Sequence, residues 1–240
     1  MNWVKRYGLQ IALLAAAIFA LIQFFWRASQ PVIAVSSAPL QIVLDAGHGG
    51  EDGGASANGV QESHLNLEIS LRVRDLFALI GTDPVMIRTT DTAVYTPGEA
   101  TTITQKKVSD LKNRVATINS IENALLISIH QNSFPEEKYH GAQVFYAGTA
   151  ESKALGVHLQ EQFAQFLDPD NRRQAKSADQ TIYLMQHIQC TGVLVECGFL
   201  TNKQEAQQLQ DAAYQKRLAA TLVGAAAGYL EGESADGQQI

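Results

Sequence analysis

QIVLDAGHGG, from Gln41 to Gly50, decides the fold. Gln41 to Ala46 is a compact run with β-branched residues, and Gly47-His48-Gly49-Gly50 ends it at once. That is the pattern of a buried strand running into a loop. Working outward, helical spacing follows at Leu65, Ile69, Val73, Leu76 and Ile80, closed by Gly81 as a C-cap. Pro84 to Arg88 reads as a second strand, Ala124 to His130 as a third and Ala142 to Ala147 as a fourth. Ile182 to Met185 and Gly192 to Gly198 read as further strands. Helices are expected around Leu111, Val115, Ile118 and Ile121, around Leu155, Leu159, Phe163 and Phe166, and around Leu218, Leu222 and Tyr229. Strands alternating with helices predict an α/β fold: one twisted, largely parallel sheet flanked by helices. Thr89 to Ser109 stands out as a long stretch without periodicity, of the kind that serves as a lid or groove wall.

The amino terminus has a different character. Tyr7 to Trp26 carries no charge and is long enough to cross a bilayer as a helix, which takes about 20 apolar residues. Lys5 and Arg6 precede it and only Arg27 follows, so the charge bias puts the amino terminus in the cytoplasm and the rest outside. A retained transmembrane anchor is favoured over a cleaved signal peptide, whose apolar core is shorter, about 7–15 residues. The expected organisation is an anchor or signal segment over 1–27, a linker over 28–39, a catalytic domain over 40–231 and a flexible tail over 232–240.

The chain has 240 residues, 46% of them hydrophobic, with a formal net charge of -6. An acidic chain without a basic stripe is a poor nucleic-acid binder, since that binding rests on Lys and Arg neutralising phosphates. Gly-rich GHGGEDGG lacks the GK[ST] ending of a phosphate loop. Cys190 and Cys197 form no CxxC motif and read as two buried free thiols, with a bridge open to them if the domain is exported.

His48, His130 and Glu196 stand at or just beyond strand ends, and Glu62 opens the first helix after the Gly-rich loop. In a parallel sheet these ends meet on one edge, where ligands bind. Two imidazoles and a carboxylate form a catalytic zinc set with one position left open, and zinc lowers the pKa of a bound water to about 7. Glu196 is then the unligated carboxylate that moves the proton. Against this, a lone strand-end histidine is more often structural, and Glu62 alone is an ordinary first-turn glutamate favoured by the helix dipole. Spacing by itself leaves the two readings level. Asp45 and Asn132 flank ligand candidates and are placed to orient an imidazole, whereas Arg88 reads as structural.

At these residues the chain resembles the zinc-dependent N-acetylmuramoyl-L-alanine amidases of bacterial peptidoglycan. The matching stretches are IVLDAGHGGEDGGA (Ile42 to Ala55), GVQESHLNLEISLRVRDLF (Gly59 to Phe77), LLISIHQNS (Leu125 to Ser133) and VLVECGFLTN (Val193 to Asn202). The resemblance implies zinc held by His48, Glu62 and His130, with Glu196 catalytic. It implies hydrolysis of the amide between the lactyl group of N-acetylmuramic acid and L-alanine. Ala46 and Cys197 depart from the family's frequent proline and aliphatic residue without removing a ligand. RTTDT (Arg88 to Thr92), SDLKNRVATIN (Ser109 to Asn119), GAQVFYAG (Gly141 to Gly148) and the stretch from Arg173 to Met185 resemble the germination-specific, spore-cortex type. That type acts with a deacetylase to make muramic-δ-lactam in the spore cortex, which implies a domain facing the cortex from outside the membrane, with an accessory protein as a further expected partner. A zinc peptidase acting on stem peptides and a non-catalytic wall-binding relative are the rival readings.

Overall fold

The computed structural model describes residues 38–98 and 100–235, together with Ile18, Phe19 and Gln23. Apart from those three residues, the expected membrane anchor lies outside the described residues, as does most of the linker. Among the described residues, no helix is long and apolar enough to cross a membrane.

Among the described residues there are eight strands: β1 (Gln41–Ala46), β2 (Ser56–Ala57), β3 (Val60–Gln61), β4 (Val85–Met86), β5 (Ala124–Asn132), β6 (Gln143–Tyr146), β7 (Lys176–Ser177) and β8 (Thr191–Phe199). The helices are α1 (Glu62–Leu79), α2 (Ile103–Asn119), α3 (Ala150–Gln162), α4 (Tyr183–His187), α5 (Lys203–Gln210) and α6 (Ala212–Ala235). A π-helical turn, Phe163–Leu167, continues α3. The main sheet runs β4-β1-β5-β8-β6-β7, and β2 pairs with β3 in a small separate ladder. All pairings in the main sheet are parallel except β6 with β8, so the sheet is mixed. The strand β6, antiparallel to β8, enters at the edge where β8 leaves. Its first residue, Gln143, therefore lies beside Glu196.

The alternation of β1 sorts the core into two layers. Ile42 and Leu44 pack with Leu65, Ile69, Val73 and Phe77 of α1 and with Leu218 and Leu222 of α6. Val43 faces the other way, toward Ile118 of α2 and Leu184 and Met185 of α4. Period-two alternation then sends Asp45 to this second face, paired across the ladder with Ser128.

Several boundaries differ from the sequence reading, each for a local reason. The second helix starts at Ile103, inside the stretch expected to be loop, because Thr102 and Gln105 form a capping box. Ile182 to Met185 is not a strand: α4 begins at Tyr183 and tucks Leu184 and Met185 into the core. A run of four apolar residues carries too little periodicity to separate the two states. Helix α5, capped by the Asn202 side chain, has only Ala206 and Leu209 as apolar core contacts and left no clear pattern. Helix α6 runs on to Ala235, into the segment read as a tail. Both cysteines are free, and only Cys197 is fully buried.

Candidate metal centre

Strand β1 ends in a backbone turn that only a few residue types tolerate. His48 itself sits in the left-handed region at φ 61°, followed by Gly50 at φ 57°. Such a conformation in a non-glycine residue is strained and is held by its surroundings. Two buried arginines do the holding. Arg114 Nη2 donates to the His48 carbonyl (2.6 Å) and Nη1 to that of Ala46 (2.9 Å). Arg88 donates to the carbonyls of Ala46 (2.7 Å), Gly47 (3.0 Å) and Ser63 (2.8 Å). Arg114 is neutralised by Asp45 and by Asp110, the latter at 2.6 Å.

The turn brings His48 to the start of α1 and the end of β5. One ligand atom each from His48, Glu62 and His130 lies within 4.8 Å of the others. His48 Nε2 stands 3.2 Å and His130 Nδ1 2.9 Å from Glu62 Oε1. Glu62 Oε2 accepts from the Ala55 amide at 2.8 Å, which leaves Oε1 turned toward the imidazoles. The site is too tight for larger residues. A Cβ on Gly47 would land on the His130 ring, and one on Gly54 would come within 2.5 Å of Glu62 Oε2.

The electrostatics favour positive charge. Burial alone would lower the His48 imidazole, but Asp52 and Glu62 outweigh it and push it up to about 9. Burial would raise the Glu62 carboxyl, yet the two imidazoles hold it far below the usual carboxylate range. The field that attracts a proton here also attracts a divalent cation, and an N/N/O donor set suits zinc. Glu196 is the outlier. Its Oε2 is buried without a hydrogen-bond partner, and burial, aided by the charge of Glu62, pushes its carboxyl up to about 7. It lines a cavity of about 340 Å³ with His48, His130, Asp52, Lys107 and Arg114. The donor set and the orphaned carboxylate oxygen beside it fit a three-ligand zinc site with one position open to water or substrate.

The structure thus gathers His48, Glu62, His130 and Glu196 at one sheet edge. Asp45 and Asn132 do not orient the imidazoles: Asp45 is taken by Arg114 and Ser128, and Asn132 lines a separate cavity. The imidazole partner is Asp52, whose Oδ2 is 3.0 Å from His48 Nδ1 and whose Oδ1 meets Lys107 Nζ at 2.8 Å. The sequence held a trace of this, since Asp52 follows His48 by one i,i+4 step. Asp110 and Arg114, buried on the apolar face of α2, were equally open to notice. His64 is exposed and pairs with Asp91 at 2.9 Å, away from the cluster. Burial pushes the Cys197 thiol up, so it is an inert core group despite its neighbour.

Known proteins resemble this chain in sequence and in fold. The sequence profile of the N-acetylmuramoyl-L-alanine amidases matches residues 42–227. The chain belongs to that family. It is 39% identical over 182 residues to the germination-specific N-acetylmuramoyl-L-alanine amidase of Bacillus subtilis, covering 75% of this chain and 76% of that protein. Among solved structures it resembles the CwlD amidase from Clostridioides difficile, determined in complex with the GerS lipoprotein. The TM-score is 0.77 at 36% identity, over 80% of this chain and 99% of that one. An N-acetylmuramoyl-L-alanine amidase from Clostridium difficile 630 gives a TM-score of 0.70 at 25% identity, over 81% and 98%. In this family member, the matched residues run from β1 into α6 and include all four residues of the site.

Proposed function

We propose that this chain is a zinc-dependent N-acetylmuramoyl-L-alanine amidase, cleaving the amide between the lactyl group of N-acetylmuramic acid and the L-alanine of the peptidoglycan stem. One observation carries the reading: His48, Glu62 and His130 converge beside a buried carboxylate, Glu196, that has no partner of its own. Zinc would supply Lewis acidity, polarising the amide carbonyl and making water acidic near neutral pH. Glu196, with its carboxyl near 7, can accept a proton from the attacking water and return it to the departing L-alanine amine. Asp52 fixes the ring of His48, and the Arg114 and Arg88 bonds keep its backbone in place.

The finer assignment is muramic-δ-lactam formation in the spore cortex, supported by the likeness to the germination-specific enzyme and to CwlD. A catalytic domain outside the cytoplasmic membrane, anchored through the apolar segment 7–26, fits that substrate. An accessory protein belongs to the same reading, since the similar CwlD amidase was solved in complex with the GerS lipoprotein.

Mass spectrometry of purified cortex and vegetative wall after incubation with zinc-supplied protein tests all of this. Release of intact stem peptides with free L-alanine amines, leaving lactyl carboxylates on the glycan, is expected. Shortened peptides still attached to muramic acid would reassign the protein as a stem peptidase. No product from zinc-loaded protein would make it a non-catalytic wall binder, and cleavage confined to vegetative wall would remove the cortex role.

A further inference from the structure

A second cavity, of about 280 Å³, opens on the sheet beside the metal centre, toward the β6–β7 edge. It shares a face with Glu196 because of an irregularity in β8. His130 pairs with Glu196, but Asn132 pairs with Phe199, so β8 spends one residue more than β5 over this step. A bulge of this kind re-aims the side chains beyond it. Phe199, which strict alternation would turn to the opposite face, comes round to the side of Glu196. There it lines the cavity with Phe134 and Tyr139.

Two cations face this aromatic surface. Arg173 is held rigidly: Nε donates to the His140 carbonyl (2.7 Å), Nη1 donates to Gln143 Oε1 (3.2 Å), and its guanidinium lies 4.4 Å from the centre of the Phe199 ring. Its Nη2 has no hydrogen-bond partner among the described residues. Lys176 is exposed on the same cavity and makes no ion pair among the described residues. No carboxylate lines the cavity. Of the nearby acids, Glu205 accepts the Gly141 and Phe199 amides (both 2.8 Å) and exerts a longer-range attraction on Arg173, while Glu136 pairs with Lys138 (3.1 Å) and Glu137 with Lys203 (3.7 Å). Two cations with no ion pair among the described residues, set over aromatic walls in a chain of net charge -6, make a site for an anion with an apolar flank.

We infer that this cavity is a substrate subsite in which Arg173 and Lys176 bind a stem-peptide carboxylate on the leaving-group side of the scissile amide. The inference rests on the amidase reading. Muramic acid spends its own carboxyl in the scissile amide, so its glycan side offers no carboxylate at this point, whereas the peptide carries them. The reach agrees. Gln143 pairs directly with Glu196 across about 4.8 Å of sheet, and Arg173 lies one hydrogen bond beyond Gln143. An extended peptide advances about 3.3–3.6 Å per residue, which places a carboxylate on the residue after L-alanine about 7 Å from the scissile nitrogen. The aromatic walls receive the intervening apolar atoms.

The test compares two synthetic substrates with the zinc-supplied full chain. Both carry N-acetylmuramoyl-L-alanyl-D-glutamate with the γ-carboxyl capped as an amide, one with its α-carboxylate free and one with it converted to a carboxamide. Calorimetric binding of the corresponding free dipeptides provides a second readout, independent of turnover. The acid should be preferred about 10-fold or more in kcat/KM and in binding, the scale of a hydrogen bond to a charged group. Arg173→Gln and Lys176→Gln should each reduce that preference by raising KM and Kd for the acid, with kcat held. Arg173→Lys should restore part of it. Lys176 is exposed, so its variant should keep the fold even if Arg173→Gln does not. Equal binding of acid and amide by the wild type, or an undiminished preference in Lys176→Gln and folded Arg173→Gln, overturns the inference while leaving the amidase intact. Failure to release peptides from whole wall overturns the amidase reading instead, and this inference with it.

Discussion

Arg114 Nη2 donates a 2.6 Å hydrogen bond to the carbonyl oxygen of His48, so a buried guanidinium on α2 holds the backbone of a residue at the candidate metal centre. The same side chain spans Asp45 at the end of β1 and Asp110 one turn earlier on its own helix. The left-handed conformation of His48 is thus maintained by charge drawn from two elements distant in sequence.

Replacing Arg114 with Met should therefore be costly. It leaves Asp45 and Asp110 buried without their cation, and breaking a buried pair from one side costs about 3–5 kcal/mol. Urea unfolding should show that loss, and the folded fraction should bind zinc more weakly because the His48 turn loses an anchor. A loss under about 1 kcal/mol would mean that the network contributes little to holding the turn.

The same network predicts acid sensitivity. Burial works to raise the Asp45 carboxyl, but Arg114 and Ser128 outweigh it and hold the group below its ordinary range in the folded state. An acid whose folded pKa is depressed contributes stability that is present above its unfolded value, near 3.9, and is lost as pH falls toward its folded value. Unfolding free energy measured from pH 6 down to pH 3 should fall at the acid end. Asp45→Asn, already destabilised at pH 6, should fall less steeply over that range.

Asp52 orients an imidazole rather than supporting the core. Asp52→Ala should weaken zinc binding about 10–100-fold, the usual cost of removing a ligand's hydrogen-bond partner. Competition with a chromophoric chelator measures this directly. A variant with unaltered zinc affinity would deny Asp52 the role.

Glu196 and the three ligand candidates should separate cleanly. Glu196→Ala should lower turnover on muropeptides by at least about 10²–10⁴-fold while zinc stoichiometry stays unchanged. His48→Ala or His130→Ala should lose the metal itself, as read by metal analysis. Chelation should stop the wild-type enzyme and added zinc should restart it. Near-normal turnover in Glu196→Ala would sink the proposed proton transfer.

Much of this site was legible along the chain. His48 follows the end of β1 and Glu62 opens α1, as local patterns of apolar and Gly residues mark, whereas β5 and β8 run on past His130 and Glu196 to Asn132 and Phe199. The alternation that buries Ile42 and Leu44 in one layer and Val43 in the other is equally a property of the sequence. Helix α4, taken for a strand, and the early start of α2 are failures of short apolar runs and of an overlooked capping box.

What the sequence determined by itself, then, is the set of elements and the residues at their ends, because periodicity and turn chemistry act over a few neighbours. Only the tertiary structure decided which group serves which. Asp45 went to Arg114 instead of an imidazole, Asp52 took the imidazole, and a bulge in β8 turned Phe199 toward Arg173 beside the site. Those choices depend on strand order, register and the direction in which a buried charge finds its partner. None of these is encoded in local spacing, because each is settled by competition among groups that meet only after the chain has folded.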